Sequence, residues 1–154
     1  MGKLTLWVAL ALSLSLSLAG CGSGESPFVG TWSFTEGTDN VTCPTGNTSE
    51  SVTGNVNIKD AVGGGLVVLD SEGCNFNYSA SGNVATASNA TCSRPAPEVG
   101  MGVTAEVTYS NITLSLADDQ TMNDVFAGSV SFTSSAGKLD CTFSGSAKLK
   151  KVAN

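Results

Sequence analysis

At 154 residues the chain carries thirteen Asp and Glu against seven Lys and Arg, no histidine and five cysteines. Lack of histidine rules out Ser–His and Cys–His nucleophilic schemes and histidine-ligated metal centres. A net charge of −6 works against nucleic acid as a partner, because phosphates are held by Lys and Arg.

In chain order, Lys3 is the only charge before Glu25, and Leu4 to Leu18 is apolar apart from Thr5, Ser13, Ser15 and Ser17. That run is shorter than the ~20 residues a membrane-spanning helix needs. Charged, apolar and small-residue regions follow one another as in a secretory signal peptide. The closing tetrad, Leu18-Ala19-Gly20-Cys21, resembles the lipobox of bacterial lipoproteins. The resemblance implies that residues 1–20 are a signal peptide that is removed and that Cys21 carries the lipid. Residues 21–27, rich in Gly and Ser, then form a flexible tether, with the folded domain spanning 28–154. Several acyl chains hold a protein stably, since each buried methylene contributes about 0.8 kcal/mol. In such lipoproteins an Asp after the cysteine often favours the inner membrane. Gly22 stands there, so the expected address is the outer membrane. Without its first twenty residues the chain retains 134 residues, enough for one domain.

Beyond the tether, apolar residues recur with period two, the mark of strands with one buried face. Phe28, Gly30, Trp32 and Phe34 share a face, followed by Val52, Gly54, Val56 and Ile58. Gly63-Gly64-Gly65 reads as a turn. It is no phosphate loop, because neither Lys-Ser/Thr nor a helix follows. Leu66 to Leu69 is a short strand. Phe76, Tyr78 and Ala80 alternate with polar residues, and a hairpin near Ser81-Gly82 leads back through Val84 to Ser88. Two prolines and two glycines in residues 92–102 read as a break in regular pairing. Val103, Ala105, Val107 and Tyr109 alternate next, and parity switches at Ser110-Asn111 to Ile112, Leu114 and Leu116. Such a switch requires a bulge or turn. Asp118 to Asp124 reads as a polar loop, without the ligand spacing of a calcium loop. Phe126, Gly128, Val130 and Phe132, then Leu139 through Leu149 at alternate positions, complete the pattern. The fold class expected is all-β, with about eight antiparallel strands in an up-and-down barrel or a flattened sandwich.

With Cys21 assigned to lipid, Cys43, Cys74, Cys92 and Cys141 form an even set. In an exported chain this reads as a disulfide framework with three pairings open. Cys74 and Cys92 flank the predicted hairpin and make the preferred pair. Cys43 with Cys141 follows by elimination, and a barrel supports it by placing first and last strands side by side. No CxxC spacing suggests a metal, and no cofactor is expected.

Phe28-Val29-Gly30-Thr31-Trp32 resembles the Gly-x-Trp opening strand of lipocalin-like and avidin-like barrels. There the tryptophan plugs one barrel end, often beneath an arginine of the last strand. The only arginine is Arg94, in the irregular segment, so the resemblance leaves Lys148 or Lys150 as the plug's partner. Lys148, Lys150 and Lys151 otherwise read as a solvated strand end. Trp32, Phe76 and Tyr78 are the candidate core or cavity residues. Gly54, Gly128 and Gly145 either leave interior space or let strands coil closely.

The expected function is that of a lipid-anchored lipoprotein of the bacterial cell envelope, non-enzymatic, with a ligand-binding or surface-structural β domain. Its partners would be the membrane, through Cys21, and a small hydrophobic ligand or an envelope protein, not nucleic acid. The other reading is an inhibitor or adhesion module that contacts its target through residues 36–50 or 92–102.

Overall fold

The computed structural model describes residues 25–69, 74–97 and 99–152, so Cys21 and the export segment lie outside the described residues. Ten strands and no helix occur among those residues. They are β1 (Gly30–Cys43), β2 (Gly46–Ser51), β3 (Asn55–Asp60), β4 (Leu66–Leu69), β5 (Asn75–Ser81), β6 (Val84–Ala87), β7 (Ala90–Pro95), β8 (Thr104–Leu116), β9 (Thr121–Ser134) and β10 (Gly137–Lys151). Eight of them close an antiparallel up-and-down barrel in the order β1-β3-β4-β5-β6-β8-β9-β10, with β10 returning to β1. Between the two expected architectures, the barrel is the one formed. Among the described residues, each strand pairing and both disulfides lie within residues 30–151, and Phe28 just before them completes the core.

The remaining two strands arise because two long edges are each shared. The edge of β1 takes β3 at Gly30–Ser33 and β2 at Thr38–Cys43. The edge of β8 takes β6 at Ile112–Ser115 and β7 at Thr104–Tyr109. Between the paired strands the chain bends at Gly54 (φ 103°) and at Asn89 (φ 54°), conformations that Gly, and less readily Asn, adopts. One end of the molecule is therefore the closed barrel. At the other end β2 and β7 each pair with one neighbour only. The Cys74–Cys92 disulfide ties the start of β5 to β7 there, and Cys43–Cys141 ties β1 to β10.

Two bulges set which side chains face inward. The register of β1 against β10 shifts between Phe34 and Glu36, so Trp32 and Phe34 face inward before it and Asp39, Val41 and Cys43 after it. The register of β8 against β9 shifts between Tyr109 and Asn111. That is the position of the parity switch, and it turns both Tyr109 and Ile112 inward. The turns at Gly63-Gly64-Gly65 and at Gly82 match the expected positions, with φ of 93°, 101°, 85° and 58°. Gly65 is required sterically as well, since a Cβ there would strike the Tyr78 carbonyl.

The closed end is packed solid. Phe28, Trp32, Ile58, Leu66, Met122 and Leu149 are fully buried there. The Trp32 indole Nε1 donates to the Phe28 carbonyl at 2.7 Å, which satisfies its one polar atom. The Lys151 ammonium lies 5.4 Å from the indole centroid. Lys151, and neither Lys148 nor Lys150, is the cation over the tryptophan. Trp32 pairs directly with Lys151 across the β1–β10 register, whereas Lys148 and Lys150 have the outward parity, with Lys148 bonded to Glu36 at 3.0 Å.

Three loop assignments change. Residues 36–50 are mostly the β1–β2 hairpin, and residues 90–95 pair with β8 as β7. The first was hidden because its inward positions include Gly37 and Asp39, which interrupt the apolar alternation. The second was hidden by Pro95, which an edge strand tolerates at its end. Asp118 to Asp124 is only partly a loop: bends cover 117–120 and β9 begins at Thr121.

Candidate ligand-binding cavity

The interior is not filled along its whole length. Above the packed end lies a chamber of about 320 Å³ whose walls include Phe34, Val56, Val68, Phe76, Tyr78 and Ile112. A second hollow of about 340 Å³ continues toward the β2–β7 end and is lined by Val41, Val107, Val130, Phe132 and Phe143 among others. Asp39, Glu50, Phe76, Arg94 and Tyr109 belong to both walls, so the two spaces meet at those side chains. Volumes of this order suit a small organic molecule.

Aromatic rings mark the junction. Tyr109 stands edge-on to Phe76 and to Phe143, each with centroids 5.1 Å apart, and Phe126 lies 6.5 Å from Tyr109. The β8 bulge puts Tyr109 at this central position. Phe126 and Phe143 occupy the space that glycines leave on neighbouring strands. A Cβ at Gly145 would collide with the Phe126 ring, and one at Gly128 with the Phe143 ring. Gly128 and Gly145 thus admit aromatic rings rather than empty space, and Gly54 sits exposed in the β2–β3 bend.

From the sequence, Arg94 reads as part of an irregular segment and Asp124 as part of a solvated loop, and Asp39 and Glu50 carry no signal of a site. Asp39, Glu50, Arg94 and Asp124 all line the lower chamber. Asp39 faces Gly145 of β10 in the register, and Asp124 faces Ala147 from the other side of that strand. The two carboxylates therefore approach the chamber across a strip of small residues. The Oδ1 atoms of both are buried without a hydrogen-bond partner among the described residues. Burial pushes the Asp124 carboxyl from 3.8 up to about 7. Asp39 is raised in the same direction, by burial first and by the charge of Glu50 second. In both cases a charged form removed from water is disfavoured.

A signal for Asp124 was present in the sequence. Phe126, Gly128, Val130 and Phe132 fix the inward parity of β9, and extending it backward two residues reaches Asp124. Its neighbours Asp118 and Asp119 do sit in the exposed bend, where Asp118 caps the Gln120 amide at 2.8 Å. For Asp39 the corresponding clue is Val41 and Cys43, which share its parity beyond the β1 bulge. Of the three residues expected at core or cavity, Phe76 and Tyr78 line the chamber while Trp32 belongs to the packed base.

Among the described residues, no three His, Cys, Asp or Glu side chains come together as metal ligands. No protein-family model, curated protein or solved structure matches this chain.

Proposed function

We propose that the chain is a lipid-anchored envelope lipoprotein whose barrel binds a small molecule in its interior, without catalysing a reaction. The observation that carries this reading is the chamber itself. A domain selected only as a structural element has no use for a hollow of about 320 Å³ lined by aromatic rings and by two half-buried carboxylates with buried Oδ1 atoms, since unfilled volume and unpaired polar groups both lower stability. Convergent polar groups in an apolar pocket are the usual composition of a ligand site. The absence of histidine, read from the sequence, supports a binding role over catalysis.

The lipid anchor rests on the Leu18-Ala19-Gly20-Cys21 tetrad. Metabolic labelling with a palmitate analogue is expected to mark the wild type and not Cys21→Ser, with the labelled protein in the outer-membrane fraction. For the barrel, residues 25–154 purified with disulfides intact and exposed to a cell-envelope extract should retain a defined small molecule detectable by mass spectrometry. A barrel that stays empty would count against the carrier reading.

The inhibitor or adhesion reading keeps one physical support. Val99 and Met101 are exposed in the segment between β7 and β8, at 51% and 101%, and Val99 also lines the upper hollow. Retention of an envelope protein that is lost in Met101→Ser would favour it.

A further inference from the structure

The chemistry of the chamber narrows what it can hold. Its charged side chains are Asp39, Glu50 and Asp124 on one side of the balance and Arg94 on the other. Even with Arg94 neutralising one carboxylate in full, the acids remain in excess. The buried Oδ1 atoms of Asp39 and Asp124 have accepting capacity that nothing among the described residues uses, and they reach the same space from opposite edges of β10. Around them stand Phe34, Phe76, Tyr109 and Phe126, whose ring faces attract cations. A divalent metal is a poor fit, because among the described residues no set of three ligating side chains converges.

We propose that the lower chamber is a site for a small organic cation, an amine on an apolar or aromatic body. The ammonium sits at the Asp124 carboxylate, with Asp39 on the same chamber wall, and the body packs against Phe34, Phe76, Tyr109 and Phe126. This rests on the small-molecule reading above and adds the charge class of the ligand. An ammonium offers the donors that both stranded oxygens lack, and charge-assisted hydrogen bonds are the strongest of their kind. A neutral alcohol of equal shape supplies one donor and no charge. A carboxylate-bearing analogue meets repulsion from the acidic excess.

Binding should also depend on pH. Asp124 titrates near neutrality when the chamber is empty, so an entering ammonium must displace its proton. The ionisable groups that share the chamber are Asp39, Glu50, Arg94, Tyr78 and Tyr109. In the strands flanking Asp124, the register neighbours Leu114 and Ala147 do not titrate. Asp39, displaced in the same direction as Asp124, adds to the effect. Affinity for an amine therefore rises from mildly acidic to mildly alkaline pH.

Tryptamine, tryptophol and indole-3-propionate form a cation, neutral and anion series of similar shape for calorimetry with the oxidised barrel. Tryptamine is expected to bind about tenfold tighter than tryptophol near neutral pH, to weaken as pH falls, and indole-3-propionate to be weakest. Asp124→Asn, which retains the size of the side chain and removes a costly buried charge, should fold at least as well while bringing tryptamine and tryptophol within about twofold. Tryptophol equal to tryptamine in the wild type, or an undiminished preference in folded Asp124→Asn, overturns the cation assignment. That failure leaves the carrier reading standing if the envelope extract supplies a bound neutral or anionic molecule. An empty barrel that binds none of the three probes brings down both.

Discussion

Replacing Asp124 by Asn should stabilise the protein at neutral and alkaline pH, and the size of the effect follows from burial. The Asp124 carboxyl is raised from 3.8 to about 7 with desolvation as the cause. A folded-state pKa above the unfolded value means that the native protein holds the proton more tightly. Unfolding therefore releases it, and stability falls as pH rises from about 4 to about 7 before levelling off. At ~1.4 kcal/mol per pH unit, that interval corresponds to a ceiling of about 4 kcal/mol. Asn keeps the volume and an unpaired polar group while losing the charge. The variant should match wild type near pH 4 and exceed it by roughly 2–4 kcal/mol near pH 8. Urea unfolding of the oxidised barrel across this range measures both terms. Asp39, displaced in the same direction, leaves a shallower slope of the same sign in the variant. A wild type equally stable at pH 4 and 8, or an Asn variant less stable than wild type at pH 8, refutes the reasoning. A residue whose replacement strengthens the fold and abolishes amine preference would be retained for binding, not for architecture.

At the closed end, Trp32→Ala should cost about 3–5 kcal/mol by opening a cavity in the packed base. Lys151→Ala, which removes the cation over the ring and its 3.5 Å bond to the Pro27 carbonyl, should cost less, about 1–2 kcal/mol; thermal melts of both variants test the ranking. Gly145→Ala should destabilise by about 1–3 kcal/mol and broaden the ring resonances of Phe126, because the added methyl meets that ring and the Thr38 carbonyl. Serine substitution of the Cys43–Cys141 bridge, which spans 98 residues, should lower stability more than loss of Cys74–Cys92, which spans 18. The loop-entropy model gives about 4.7 and 3 kcal/mol, and equal losses in non-reducing urea titrations would argue that native strain or residual structure dominates.

Much of the barrel was legible in one dimension. Period-two runs placed the strands around Trp32, Ile58, Phe76, Phe126 and Phe143. Turn glycines fixed the β3–β4 and β5–β6 connections, and the parity flip after Tyr109 located the β8 bulge to the residue. The cysteine pairing followed once a hairpin and a closing barrel were assumed. These features depend on contacts between near neighbours, or on one repeating burial rule, so local sequence carries them. The wall of the chamber escaped for the opposite reason. Its inward residues include Asp39, Glu50, Arg94 and Asp124, which break the alternation used to find strands and make β2, β7 and the start of β9 look like solvent loops. The same polar residues in a solvated hairpin would leave an identical trace.

The amino-acid order by itself determined that the chain folds as an antiparallel β protein with a packed tryptophan end, because hydrophobic burial imposes its period on every strand that obeys it. Only the tertiary closure of β10 on β1 decided that Asp39 and Asp124 would line one chamber from either side of Gly145 and Ala147. Inward and outward are properties of the closed wall: until strands far apart in the chain join, nothing distinguishes a carboxylate aimed at water from one aimed at a cavity.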